Sequence, residues 1–505
     1  LYWLFFVKKM TYLSIDRWNI NQYDYCIERY TNIWVLILEG GVSLERTATI
    51  REQMEEFLHK NEMTINRFAE ISGVNSGTLS NILNGNRPIS MQQLDRITLG
   101  MGLEEGYFYE LYIDECIFHA TPDWRRLGPY LHRCAELGKL DCLDKAVRMT
   151  MDNISYSPLL FETAEFFFKE GKHEAAVLLY KSVAESERFQ HSERLALCQY
   201  RLFTLGLGDD QEVNSRAAVY FEPYIDRLDE VYQLDALVDL INVNGSIHRW
   251  DKVEEFAELM LHKAIIEYKY IETKNHIEIK RKNPLIFYIL YAHLSLEYSY
   301  SERGEYEKAL YYVSQYADPS WISNANNEEL QIINQFKEWA VANRYVYQLM
   351  VGQAEVLSEY MEYVSTREDE IFVAMCNIMI AANRHKFQVD HILEDYKEYL
   401  IYKQQRNHIG KVSKQVTLER HTRLLAELGI YYINSEQYDK GIEFILESLG
   451  SSITINSNNG MLRCMGLFEQ YRHFSSFESQ KRYTNLVSEV QKLNEKKIGF
   501  SISYV

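Results

Sequence analysis

Three stretches of this chain repeat one another at even spacing: TAEFFFKEGKHEAAVLLYKSVAE (163–185), LSLEYSYSERGEYEKALYYVSQYA (294–317) and LLAELGIYYINSEQYDKGIEFILESL (424–449). Each reads as an apolar helix, a short polar turn, an aromatic residue or histidine, and a second helix that opens on a small residue. The small residues are Ala176, Ala309 and Gly441, separated by 133 and 132 residues, which is close to four units of about 33. Asp235 to Lys263, with Trp250-Asp251-Lys252-Val253, is a looser copy, and Leu131 to Met151 around Ala146 is another. A helical pair of this size cannot bury its apolar face alone, so copies must stack on one another. Breakers are scarce, with 7 prolines and 23 glycines against 38 tyrosines in 505 residues. The expectation is an all-α chain.

The repeats resemble tetratricopeptide repeats. The third copy carries the pattern best, through Leu425, Leu428-Gly429, Tyr432, Tyr438 and Gly441. The resemblance implies that the small residue lets paired helices cross closely while the aromatic fills the wedge against the next pair. Carried over residues 121–505, it implies about ten hairpins in a right-handed α-solenoid with a concave inner surface. A globular helical bundle with chance spacing is the other reading.

A different pattern occupies Thr64 to Ser90. Phe68, Ala69 and Ile71 are apolar at helical spacing, and so are Leu79, Ile82 and Leu83. Gly73-Val74-Asn75-Ser76 lies between them, with Gly73 suited to a left-handed helix end and Asn75 or Ser76 to capping the next helix. Ala69 is small where two helices would cross. Ser90 to Gln93 reads as a capping box opening a further helix with Leu94, Ile97 and Leu99. The segment resembles the lambda-repressor-like (Xre-type) helix-turn-helix family through Phe68-Ala69, Gly73-Val74, Thr78-Leu79-Ser80, Ile82 and Asn84-Gly85-Asn86-Arg87-Pro88. It departs at Ile65, where such domains often carry a glutamine that braces the reading helix on a phosphate. The resemblance implies a unit over residues 45–103 that reads double-stranded DNA with Ser76, Gly77, Thr78, Ser80, Asn81, Asn84 and Arg87. A hairpin that packs and reads nothing is the alternative.

DNA affinity depends largely on neutralising phosphates. Residues 45–103 hold six Lys/Arg and seven Asp/Glu, and between Gly73 and Gln93 the only charge is Arg87. A head this neutral binds weakly alone and gains from doubling, so a homodimer is expected. The whole chain has net charge −18, nearly all of it outside the first 103 residues. An acidic body repels DNA and disfavours membrane contact.

Residues 104–120 read as a connecting helix, with Phe108, Leu111, Tyr112, Glu115 and Cys116 at helical spacing. Residues 1–44 show no sustained period. Leu1–Val7 and Ile33–Leu38 are too short to span a bilayer, and Lys8-Lys9 follow the apolar run instead of preceding it. Glu39-Gly40-Gly41 can be encoded as a ribosome-binding sequence, and Leu44 as a TTG start. We therefore expect a non-native extension, with translation beginning at Leu44; a genuine but poorly ordered arm is the alternative.

The search for chemistry returns little. Cysteines 26, 116, 134, 142, 198, 376 and 464 form no C-x-x-C pair and no His cluster accompanies them. They read as reduced thiols of a cytoplasmic protein, with no metal site and no cofactor. There is no phosphate loop, zincin motif or nucleophile elbow. Arg126 and His132 have the spacing of some helical RNases, but Gly128-Pro129 is expected to break the helix between them. The basic runs Lys280-Arg281-Lys282 and Lys403 to Arg423 read as solvated loop or helix faces, with DNA contact as the alternative. No catalytic residue is assigned, and an enzyme is not expected.

The whole layout is similar to the peptide-pheromone receptors of Gram-positive bacteria, the RRNPP group, which includes the phage arbitrium receptors. The resemblance implies transcriptional control by a short peptide held in the solenoid. In the repeat register above, Lys169, Asn242, Tyr298, Arg423 and Asn434 fall on the concave face, where amides and cations can hold a peptide backbone and its carboxylate. A plain solvated inner surface fits each of these residues as well. Two other functions fit the same sequence: a DNA-binding regulator whose solenoid holds a protein partner, and a solenoid scaffold or inhibitor with little DNA binding.

Overall fold

The computed structural model describes residues 48–118, 123–150, 153–274, 281–322, 325–404, 406–407, 410–411 and 413–498. The expected extension 1–44 and its Leu44 start lie outside the described residues. The described chain is α-helical apart from strands β1 (Arg406–Asn407) and β2 (Gly410–Lys411), which pair antiparallel. It divides into two units, one running through Leu137 and the other from Gly138. No described helix is long and apolar enough to cross a membrane.

The first unit opens with α1 (Ile50–Lys60), capped by a reciprocal Thr49–Glu52 box. Next come α2 (Ile65–Ser72), α3 (Ser76–Leu83) and α4 (Met91–Gly100). Thr64 caps α2, and Gly73 ends it at φ 67°, a left-handed conformation that glycine adopts without strain. The Asn75 side chain then caps α3, accepting from the amides of Gly77 and Thr78. The Ser90–Gln93 box opens α4. Val74 is buried in the turn, and Arg96 of α4 donates to the Gly73 carbonyl at 3.1 Å, so the third helix pins the turn between the other two.

The core of this unit holds Phe68, Leu79, Ile82, Leu94 and Ile97, as their periodicity predicts. Ile71 and Leu99 depart from it, standing 48% and 58% exposed. A Cβ at Gly100 would stand 2.8 Å from Ser72 Cβ, so α2 and α4 meet there and turn the adjacent Ile71 and Leu99 outward.

The expected connecting helix over residues 104–120 is shorter than predicted. Gly106, at φ 81°, precedes the first helical turn, α5 (Tyr109–Tyr112), which widens into a π-type turn through Ile117. This segment is core. Tyr109 donates to Asp95, Tyr112 to the Ile89 carbonyl, and the Glu115 carboxylate accepts from the Ile50 amide that starts α1. The next helix, α6 (Trp124–Glu136), runs unbroken through Pro129, contrary to the expected break. A proline forfeits one hydrogen bond and its φ already suits a helix, while Gly128 beside it sits under the Trp124 ring. Arg126 is occupied, donating to the Cys116 carbonyl at 2.8 Å.

The second unit contains α7 (Leu140–Arg148), α8 (Ser157–Lys169), α9 (His173–Ser186), α10 (Glu193–Gly206) and α11 (Gln211–Phe221). After these come α12 (Glu230–Ser246), α13 (Trp250–Lys274), α14 (Leu285–Glu302), α15 (Tyr306–Ala317) and α16 (Asn327–Met350). It ends with α17 (Leu357–Ser365), α18 (Glu368–His385), α19 (Asp390–Asp395), α20 (Lys414–Asn434), α21 (Tyr438–Thr454), α22 (Asn458–Tyr471) and α23 (Phe477–Ile498). Five helix pairs, α8–α9, α12–α13, α14–α15, α20–α21 and α21–α22, share one turn. Its left-handed residue is Gly171, His248, Gly304, Glu436 or Asn456, and the second helix starts two residues later. Ala176, Ala309 and Gly441 are buried at the start of the second helices, where the repeat pattern puts them.

Within this unit the chain returns on itself. Helices α12 and α20 pack together. The Gln211 amide donates to the Ile455 carbonyl at 2.7 Å, Asn456 donates to Asp210 at 2.9 Å, and Lys414 pairs with Asp209 at 2.6 Å. Two arginines of the basic runs serve packing, while Lys282 and Lys403 are exposed as expected. Arg281 is buried in a bidentate pair with Glu267 and also donates to the Glu230 carbonyl, while Arg423 pairs with Glu302. Arginine forks suit such sites because one planar group satisfies several acceptors at once.

Candidate nucleic-acid interface and ligand cavity

Short polar residues line the outer side of α3. Gly77, Asn81, Asn84 and Arg87 are exposed, and Ser76, Thr78 and Ser80 are half-buried. Leu79 and Ile82 anchor the opposite side in the core, so the polar row is held outward by packing. The Asn81 carbonyl accepts from the amides of Asn86 and Arg87, which curls the exit loop back beside the helix and stations Arg87 at its end. Gly85 allows that loop its left-handed turn at φ 74°, with the Arg51 side chain packed closely against it. The surface is uncharged over two turns with a cation at its edge, a chemistry suited to base edges flanked by a phosphate.

In the second unit, helices α12, α14, α16, α18 and α20 surround a cavity of about 740 Å³. Three of the five residues expected on an inner face line it: Asn242, Tyr298 and Arg423. The Asn242 carbonyl oxygen accepts from Tyr291 at 2.9 Å, leaving its amide nitrogen as the donor. The Tyr298 ring stands edge-on to Trp250 at 5.3 Å, and Arg423 holds both oxygens of Glu302 at 2.9 Å. Lys169 and Asn434 are exposed and do not line it. Each is the last residue of its helix, and Asn434 lies about 16 Å along α20 from Arg423 at helical rise.

Sequence reasoning missed Glu297, Trp339, Glu370 and Arg420, which also line the cavity. Trp339 donates its indole N–H to Glu370 at 2.7 Å. Burial raises the Glu370 and Asp239 carboxyls above the usual range, against the hydrogen bonds they receive from Trp339 and Tyr200. Burial holds Glu297 higher still. One signal for Glu297 was present: it stands where the other two best copies of the repeat have Ala164 and Gly429. The six described cysteines are unbridged, and no cluster of metal-binding side chains occurs among the described residues.

No protein-family profile and no curated protein sequence matches this chain.

His248 lies beside Glu419, a residue of the cavity wall. It sits at the left-handed position of the α12–α13 turn, and its Nε2 meets Glu419 of α20 at 2.9 Å. Burial opposes charge on the ring, but the hydrogen bond and charge of Glu419 outweigh it and raise the imidazole above its ordinary value. Burial likewise opposes charge on Glu419, and His248, Arg423 and Arg420 together bring that carboxyl below its usual range. The imidazole contribution is complete below its ordinary value of about 6.5 and lapses as pH rises through the raised one. The carboxylate contribution is complete above the ordinary carboxylate range and lapses as pH falls through the depressed value. The pair is therefore strongest between roughly pH 5 and 6.5. His248→Gln is expected to lose about 1.5–3 kcal/mol in that window and progressively less in alkali. Urea midpoints across pH test this, and a loss that is flat with pH contradicts the pairing.

Proposed function

We propose that this protein is a DNA-binding transcriptional regulator that acts as a dimer and responds to a short peptide held in its helical body. The observation that carries the reading is α3, whose outer row is polar, nearly uncharged and fixed by a buried inner row, behind a turn closed by Gly73 and Asn75. In this reading the first unit is a helix-turn-helix of the Xre type, and α3 enters the major groove. Ile65 stands where a phosphate-bracing glutamine is common, and Arg87 is the one cation between Gly73 and Gln93, so a single head binds weakly. Dimerisation compensates by making the second half-site an intramolecular event.

The second unit is read as a sensor built of tetratricopeptide-like hairpins. Its cavity lies within the range of about 300–1,000 Å³ usual for small-ligand sites. Asn242 and Tyr298 on its wall offer an amide and a hydroxyl for a peptide backbone. The bound peptide changes operator affinity by favouring one arrangement of the dimer over another.

The test has two steps. Selection from fragmented genomic DNA is expected to recover a two-fold site bound by the purified dimer. Peptides encoded by short neighbouring reading frames are then screened by thermal shift. A ligand at a hundredfold excess over its dissociation constant stabilises the protein by about 2.7 kcal/mol. A peptide that binds and leaves operator affinity unchanged overturns the sensing role, and failure to enrich any DNA site overturns the regulator.

A further inference from the structure

In the three best copies of the repeat, Ala164, Glu297 and Gly429 stand twelve residues before Ala176, Ala309 and Gly441. In the α20–α21 copy this is where paired helices touch, since a Cβ at Gly429 would lie 3.0 Å from the Gly441 carbonyl oxygen. Ala164 is fully buried at the same position in α8. A glutamate there gains nothing from packing and loses its hydration. Glu297 is nonetheless only 2% exposed and lines the cavity. Its Oε2 accepts from Asn343 at 3.2 Å and from the Tyr316 hydroxyl at 3.4 Å. Among the described residues, Oε1 receives no hydrogen bond, and it is not sealed in by packing.

The cations of the cavity wall are engaged elsewhere. Arg423 holds Glu302, Arg384 donates to Tyr306, Arg420 acts on Glu370 and Glu419, and Lys282 acts on Asp239. The groups facing Glu297 are the Tyr316 hydroxyl from α15 and the Asn343 amide from α16, and Arg344 acts on Tyr316. On α13, Glu254 and Glu258 act on Tyr300 and Tyr312, and on α12 Asp239 accepts from Tyr200. Tyr291, Trp339 and Tyr347 line the same cavity, and Trp339 and Tyr347 lie about one helical turn to either side of Asn343 on α16. A buried carboxyl with one open oxygen among aromatic residues is suited to receive a cation.

We propose that the cavity takes a ligand bearing an ammonium or guanidinium group, which docks on Glu297 Oε1 against these aromatic residues. This deepens the sensing reading, on which it rests, by naming the chemistry of the ligand. Burial raises the Glu297 carboxyl well above the usual carboxylate range. An arriving cation stabilises the carboxylate and drives its proton to solvent, so binding is coupled to proton release and strengthens as pH rises through the raised range.

The test uses the purified full chain with two probes, Nα-acetyl-arginine amide and its uncharged counterpart Nα-acetyl-citrulline amide. Calorimetry in phosphate and in Tris at one pH reads the proton release as a difference in apparent heat. The arginine probe is expected to bind at least about tenfold more tightly than the citrulline probe, with a proton released. Glu297→Gln is expected to erase both the preference and the release. That variant removes a buried acid without changing its size, so its thermal midpoint at neutral pH is expected to equal or exceed that of the wild type, which guards against loss by misfolding. Equal binding of the two probes, unchanged binding by Glu297→Gln, or no binding of the arginine probe at millimolar concentration overturns the proposal. If the arginine probe docks on Glu297 while no cavity ligand alters operator affinity, the site stands and the regulatory reading fails. If an uncharged peptide shifts operator affinity equally in wild type and Glu297→Gln, the regulatory reading stands and this site falls.

Discussion

Gly441→Ala is expected to destabilise the second unit by about 3 kcal/mol, the upper end of the range for overfilling a packed core. The added Cβ would stand 2.6 Å from Ile433 Cγ1, 2.8 Å from the Gly429 carbonyl oxygen and 2.9 Å from the Ile433 amide nitrogen. Two of these three are backbone atoms of the facing helix, which cannot move aside as a side chain tip can. Gly429→Ala meets the same crossing from the other side, at 2.7 Å from Ile445 Cγ1, and is expected to cost nearly as much. The α14–α15 pair has alanine at the position equivalent to Gly441, fully buried and tolerated, so Ala309→Gly should cost only about 1 kcal/mol. Urea midpoints of the three variants test this. A loss below about 1 kcal/mol for Gly441→Ala would mean that the helices separate freely and that the glycine pair does not set their distance.

On DNA, Asn81→Ala is expected to weaken the specific site by about 1–3 kcal/mol, roughly fivefold to 150-fold, and random DNA hardly at all. Asn81 is exposed near the middle of the polar row of α3, where a carboxamide can pair bidentately with an adenine edge. Arg87→Ala is expected to weaken specific and random binding alike and to lower the salt slope by about one. The contrast matters more than either loss, because a misfolded head would lose both kinds of binding in both variants. Titrations of operator and random duplex over a range of salt concentrations decide it. Equal loss on both duplexes with Asn81→Ala would show that the α3 row does not read bases.

Some expectations failed because short periods do not fix phase. Ile71 and Leu99 belong to helices of eight and ten residues, in which a few apolar positions fit more than one rotation about the axis. The Gly100–Ser72 contact chose the rotation and left both side chains outside. Pro129 does not break its helix, since proline costs one hydrogen bond while packing of Leu127, Tyr130 and Leu131 retains the helix. Glu104 to Phe118 looked like a connector because its aromatics fall at helical spacing. Only the hydroxyl contacts of Tyr109 and Tyr112 reveal it as core. Arg281 has basic neighbours in sequence, which suggest a solvated face, whereas its partners Glu267 and Glu230 come from helices distant from it in the chain.

What is encoded within about thirty residues was legible: the Gly73–Asn75 turn, the Ser90 box, the hairpin turns at Gly171 and Gly304, and the small residues Ala176, Ala309 and Gly441. Each depends on a local backbone conformation or a single helix crossing, which one or two residue types satisfy. The cavity was not legible, although three of its residues fell on the expected face. Its walls exist because α12 packs on α20, and because Asp209, Asp210 and His248 meet Lys414, Asn456 and Glu419 about two hundred residues later. The angle at each helix crossing is a tendency with a scatter of about 15–20°. Over the many crossings from α10 to α20 that scatter accumulates, so local rules cannot say which distant helices face each other. The tertiary packing alone set that alignment, and with it placed Glu297 on a shared wall instead of in an ordinary helix contact.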